Sequence, residues 1–219
     1  MALRNMSLRL NSFSRSMPRI IPSFMKKDII HCMCGRYRFF DEKNPKLKEI
    51  IETAKKTLPS EEFAEISLFE VFPSQKCFVG YWNQKKQEVR TTVMKWGYTG
   101  FHDNTVINAR SETCFTSRFF NDSLPCAIPA SSYFEWSQNP HRKYEFTTEE
   151  QPVYLAGIFH QEKDGNHFVI LTEEAGQPQR QIHSRQPVMF PYEKAREWCA
   201  FKHPSSLLSC SIQKRIIIA

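Results

Sequence analysis

No stretch of this 219-residue chain is apolar for anything near the roughly 18 residues that a membrane-crossing helix needs. The longest late run is Ile216-Ile217-Ile218, so no helical membrane span is expected. No CxxC pair occurs among the seven cysteines, which sit at 32, 34, 77, 114, 126, 199 and 210. An odd, scattered set of this kind argues against a disulfide framework and for reduced thiols inside the cell. There is no internal repeat and no low-complexity segment. Acid is nearly missing from one end: residues 1–33 hold six Lys/Arg and one Asp, which leaves 24 Lys/Arg against 22 Asp/Glu for 34–219. The formal charge of +7 therefore belongs mostly to the N-terminal stretch. The body is close to neutral, and bulk charge alone does not make it a nucleic-acid binder.

What is present divides at the same point. Residues 1–33, rich in Arg and Ser, have three readings: an organelle transit peptide, a disordered basic tail, or sequence upstream of a start at Met33. From Cys34 onward, 41% hydrophobic residues overall suffice for a sizeable core. LKEIIETAKKTL (47–58) has helical spacing, and YEKAREWCAF (192–201) reads as a closing helix. Strands are expected at 77–82 and 88–96 around the turn 83–87, at 143–148, and at 153–160 and 167–174 around the turn 163–166. The expectation is an α+β fold: one mixed, mainly antiparallel β domain over 34–219 with a few peripheral helices.

Four separated segments carry chemistry. They are MCGRY (33–37), WGY (96–98) followed by NARSET (108–113), YFEW (133–136), and ILT (170–172) with IHSRQPV (182–188). Singly each is weak. In this order and combination the chain resembles the SOS-response-associated peptidase (SRAP) family over roughly residues 34–200. The resemblance implies a protein that shields abasic sites in single-stranded DNA by covalent attachment, with no cofactor or metal.

The residues bear out such chemistry. If the chain begins at Met33, removal of that methionine leaves Cys34 with an α-amine beside its thiol. An α-amine with a pKa of roughly 7.7–8.0 keeps a neutral fraction at physiological pH that a lysine near 10.4 lacks. The amine attacks the aldehyde of an opened abasic sugar, and the thiol closes a thiazolidine ring. An internal Cys34 has only the thiol. Glu135 is the candidate for moving protons during imine formation, its carboxyl raised by desolvation between Phe134 and Trp136; read alone, it is also an ordinary outward strand glutamate. By resemblance His183 is the second acid/base group; alone, it reads first as a capping or core histidine.

The resemblance further gives Asn108 the orienting of sugar or amine, and Arg36 and Arg110 the flanking phosphates, for which a guanidinium has matching donors. Thr172 adds a hydroxyl, and Pro73 shapes a loop wall. Trp96 and Tyr98 fit stacking on bases and fit a core equally well. His31 and Cys32 do not complete a tetrahedral metal site. The chain departs from the family pattern in its 33 preceding residues, in Gln186 where methionine is usual, in ASS before YFEW where glycine is common, and at its end. There, either KRIIIA replaces the closing strand or the fold is trimmed. Two other readings stay open: a cysteine peptidase with Cys34 as nucleophile, including one that acts on its own chain, and a non-catalytic single-strand binding module. A monomer in cytoplasm, nucleoid or nucleus is expected, or in an organelle if residues 1–32 are a targeting segment.

Overall fold

The computed structural model describes residues 34–40, 44–138, 140–148, 152–200 and the strand 215–218; the segment 1–33, with His31 and Cys32, lies outside the described residues. In chain order the elements are β1 (Tyr37–Arg38), α1 (Pro45–Thr57), α2 (Ser60–Ala64), β2 (Glu70–Val71), β3 (Lys76–Asn83), β4 (Glu88–Trp96), β5 (Tyr98–Thr99), β6 (Thr105–Val106), β7 (Asn108–Arg110), β8 (Leu124–Ala130), β9 (Ser132–Trp136), β10 (Lys143–Thr147), β11 (Val153–Glu162), β12 (Gly165–Glu174), β13 (Arg185–Pro187), β14 (Met189–Phe190), α3 (Tyr192–Ala200) and β15 (Arg215–Ile218). This is the mixed, mainly antiparallel α+β architecture that the sequence pattern predicts. No helix among the described residues is long and apolar enough to cross a membrane.

Five strands close on themselves. β3 pairs with β4, β4 meets β12 in parallel, β12 pairs with β11, β11 with β8, and β8 returns to β3 at Ala127 and Cys126. Beyond its contact with β4, β12 takes β7 on the same edge. A second, antiparallel sheet runs β15-β10-β9-β1-β2. Its outer strand bears on the chain's last segment: Arg215–Ile218 pairs with β10 from Thr147 to Tyr144, so RIII of the KRIIIA stretch supplies a closing strand.

Alternation along the barrel strands makes two apolar layers. Leu155, Phe168 and Ile170 belong to the layer shared with the second sheet, together with Tyr37, Tyr133, Phe146, Phe78 and Trp96. Ala156, Ile158, Val169 and Leu171 form the opposite layer under α3, around Trp198, whose indole N–H reaches the carbonyls of Cys126 (2.8 Å) and Gly157 (3.1 Å). α1 starts where Asn44 accepts from the backbone N–H groups of Lys46 and Leu47 with Pro45 in the first turn, an arrangement that satisfies donors a helix start otherwise leaves open. Its buried residues Leu47, Ile51 and Ala54 recur at helical spacing and join the inner layer. At the exit of β4 the chain must turn inside the core. Gly97 allows this with φ of 114°, and a Cβ there would lie 2.4 Å from Thr105 Cγ2.

Candidate active site

The register Tyr37↔Tyr133 and Arg38↔Ser132 lays β1 against β9, and Phe134 N–H extends it to the Arg36 carbonyl at 2.9 Å. That pairing carries the start of the described chain to Glu135. The backbone nitrogen of Cys34 donates to Glu135 Oε1 at 2.6 Å. Cys34 is fully buried and Glu135 is 4% exposed. Burial pushes the Glu135 carboxyl up to about 8, against the opposing pull of the Cys34 N–H. The expected upward shift is present, although its source differs from the expectation. Side chains alternate across a strand, so Phe134 and Trp136 face away from Glu135 and carry cations on the outer surface. The desolvation of Glu135 comes from the inner face of its own sheet.

A second cluster gathers on the edge of β12. Asn108 begins β7, opposite Ile170, and its Nδ2 is buried with no partner among the described residues. Thr172 is fully buried; its hydroxyl is 3.4 Å from the Ala109 carbonyl and its own carbonyl accepts from Ser111 N–H at 2.8 Å. Arg185 of β13 forks onto both carboxylate oxygens of Glu112 at 2.6 and 2.7 Å and donates to the Thr172 carbonyl at 2.6 Å. The Arg185 guanidinium holds the Glu112 carboxyl below its usual range. His183 ends the turn before β13, and its Nδ1 accepts from Arg185 N–H at 3.1 Å. The Arg185 carbonyl lies 3.3 Å from the same nitrogen.

Two junctions bring these clusters toward each other. A Cβ on Gly35 would lie 4.0 Å from Ile107 Cδ1, beside Asn108, and the Tyr133 hydroxyl has Glu135, Cys34 and Glu173 of β12 as its ionisable neighbours. A hydrogen bond joins Cys34 and Glu135. Asn108, Thr172 and His183 are held by the β12 edge, with Arg110 exposed beside them.

The outer face of the second sheet carries Arg36. Its guanidinium lies 4.2 Å over the Phe72 ring and 4.9 Å from that of Trp136, and it meets Glu70 at 3.2 Å. Lys143 reaches the same Glu70 oxygen at 2.7 Å and sits 3.8 Å over Phe134. Each cation–ring contact contributes about 0.5–1 kcal/mol at such sites. Pro73 is half-buried in the turn from β2 to β3, next to Ser74, whose N–H bonds the Trp96 carbonyl at 2.8 Å.

Three expected DNA contacts lie elsewhere. Trp96 and Tyr98 are fully buried: Trp96 packs against Tyr37 and Phe168 and bonds the Ile107 carbonyl, and Tyr98 stacks on His160 and bonds Ser123. Neither ring presents a face to a base, because the turn at Gly97 drives both into the core. Thr172 likewise spends its polar atoms inside the protein. Phe101, 79% exposed on the β5–β6 connection, is the aromatic this region offers to solvent. Sequence reasoning also missed Arg185 and Glu112, although both lie inside the quoted motifs as a cation and an acid in separate segments. Lys143 and Glu70 had no signal. The thiols of Cys77 and Cys199 are in no disulfide, and burial pushes both up to about 12, so they are inert beside Cys34. Glu162, Asp164 and His167 bring ligand-type atoms within 4.8 Å of one another. Those atoms are engaged by Thr99, Lys95 and the Gly97 carbonyl, which ties β5 to the β11–β12 hairpin.

A barrel seamed to a second sheet, with a buried carboxyl on the backbone nitrogen of a cysteine, defines a protein with an acid–base group at a thiol-bearing residue. Residues 33–215 match the SOS response associated peptidase (SRAP) family, and the chain belongs to that family. It is 29% identical over 178 residues to the abasic site processing protein YedK of Escherichia coli K12, covering 76% of this chain and 79% of that one. The abasic site processing protein YoqW of Bacillus subtilis is 28% identical over 184 residues, covering 76% and 80%. Among solved structures, a phage-related protein of Bordetella bronchiseptica shares the fold with a TM-score of 0.64 at 18% identity, over 85% of this chain and 94% of that one. A protein of Bacteroides thetaiotaomicron does so with a TM-score of 0.59 at 19% identity, over 84% and 92%.

Proposed function

We propose that this protein processes abasic sites in single-stranded DNA by covalent capture on Cys34, once that residue bears an unacylated α-amine. The carrying observation is the 2.6 Å contact between the Cys34 nitrogen and Glu135. The amine lone pair bonds to C1′ of the opened sugar, and the carbonyl oxygen takes a proton. Glu135 accepts a proton from the nitrogen and returns one to the C1′ hydroxyl, which leaves as water while the nitrogen pair forms the imine. The thiol adds to the imine carbon and its proton passes to nitrogen, closing the thiazolidine. β-Elimination of the 3′ phosphate from the same imine is the lyase branch. The names of the two curated relatives support the substrate class. His183 assists ring opening; Asn108 Nδ2, a buried donor with no partner among the described residues, binds a sugar oxygen. Arg36 and Arg110 take flanking phosphates.

Cys34 has a φ of 41°, a left-handed value costly for a residue other than glycine. That torsion exists only while residue 33 is attached. It favours a peptidase step as a second reading: the thiol attacks the preceding carbonyl, the amine leaves with a proton from Glu135, and water hydrolyses the thioester. The main reading is tested with uracil-containing single strands treated with uracil glycosylase. Protein beginning at Cys34 gives an SDS-resistant adduct; Cys34→Ala gives none, and a normal yield from the variant removes the mechanism.

A further inference from the structure

Tyr133 lies two residues before Glu135 on β9 and therefore on the same face of the sheet. Its ring is fully buried, stacked on Phe146 at 4.8 Å and opposite Tyr37 across the β1–β9 pair. Packing thus fixes the direction of the hydroxyl. That oxygen is buried and has no hydrogen-bond partner among the described residues, an arrangement that destabilises a fold unless a ligand or water completes it. Its ionisable neighbours, in order of strength, are Glu135, Cys34 and Glu173, so it lies at the site of capture rather than in a remote part of the core. Tyr37 shares the face, but Cys77 acts on it more strongly than Cys34 does. Burial holds the Tyr133 phenol well above its ordinary range, which keeps it a hydrogen-bond donor throughout a reaction near neutral pH.

We propose that Tyr133 is a further catalytic residue: its hydroxyl donates a hydrogen bond to the oxygen that leaves C1′ of the abasic sugar as water. This inference rests on the capture reading. The oxygen is two bonds from the attacking Cys34 nitrogen and must lie where Cys34 and Glu135 meet. As the nitrogen adds to C1′, the carbonyl pair moves onto that oxygen and negative charge develops there. Glu135 supplies protons to it; Tyr133 keeps its own proton and stabilises the charge, as donors aimed at a developing oxyanion do. The bond to the substrate also completes the hydroxyl of Tyr133, which has no partner among the described residues.

The test compares protein beginning at Cys34 with its Tyr133→Phe variant, which retains the ring and its stack on Phe146. Single-turnover cross-linking at saturating abasic DNA is expected to slow on the order of 10- to 100-fold, the effect of one hydrogen bond to a charged group. Affinity for undamaged single strands stays unchanged. The Tm stays level or rises, because an unpartnered buried oxygen has been removed. Equal rates in the two proteins overturn the inference while leaving the capture reading intact. Slower capture together with a lower Tm or weaker DNA binding also overturns it, since the ring's packing would then be responsible. Absence of adduct from the parent protein overturns both.

Discussion

The Cys34 nitrogen and Glu135 Oε1 meet at 2.6 Å although 101 residues separate them. β1 is only two residues long, and its pairing with β9 makes the contact. With its carboxyl pushed up to about 8, Glu135 is protonated near neutral pH while Cys34 is acylated. An ammonium in the amide's place would pull that value down and create the base that the first proton transfer needs. Glu135→Gln keeps the size and removes the titration. Capture by protein beginning at Cys34 should slow by about 100-fold or more, with DNA affinity unchanged. Rescue of the variant by more DNA would make Glu135 a binding group.

The same shift predicts a stability effect in the chain that retains residues 1–33. A carboxyl whose pKa rises from 4.5 to about 8 on folding binds more protons in the folded state between those values. Stability contributed by Glu135 is therefore lost as pH rises through that window. Glu135→Gln should gain stability relative to the parent between about pH 5 and pH 9, on the order of a few kcal/mol at the upper end. Urea unfolding at both pH values reads it. A constant difference would place the carboxyl in a wetter setting.

Long periodic segments were legible in the sequence. β4 occupies the expected 88–96, and α1, β3, β10, β11, β12 and α3 depart from expectation by at most two residues at either end. The missed strands have physical reasons. β8, LPCAIPA, contains two prolines, which normally argue against an inner strand because each removes a ladder donor. Here β3 pairs with β8 only at Ala127 and Cys126, between Pro125 and Pro129. β1, β2 and β7 are too short to show a period. Within the site, Cys34 stood out because a cysteine directly after methionine has unusual chemistry, and Glu135 only through the family resemblance, since alone it reads as an ordinary strand glutamate; Trp96 and Tyr98 misled because an aromatic pair looks the same in a core and on a stacking surface.

Arg185 should be a positioning residue of the site. Arg185→Ala removes the fork to Glu112 and the bond to the Thr172 carbonyl. Discounted for the exposure of Glu112, the loss should be about 1–2 kcal/mol in urea melts. Capture should slow as well, because the guanidinium bonds anchor the turn that carries His183, whose contact with the Arg185 backbone N–H the variant retains. Unchanged capture would separate this edge from the chemistry.

Arg36→Ala should weaken binding to undamaged single strands of any sequence and flatten the salt dependence by about one counterion. Arg110→Ala should do the same. Lys143 shares Glu70 with Arg36, so Lys143 remains to hold the loop in the Arg36 variant. Fluorescence anisotropy over a salt series checks the slopes, and an unchanged slope would return these arginines to solvated surface charge.

The central claim is that Cys34 acts through an unacylated amine, and intact-mass spectrometry before and after incubation with abasic DNA tests it most directly. Two proteins are compared: one started at Met33, and the full chain carrying Met33→Ala to block internal initiation. The first should lose its methionine and gain the mass of the DNA less one water. The second should remain unmodified unless it is cut before Cys34, a cut that should vanish with Cys34→Ala. A stable adduct on an uncut full-length chain would contradict the account, because the nitrogen of a peptide bond cannot form the imine.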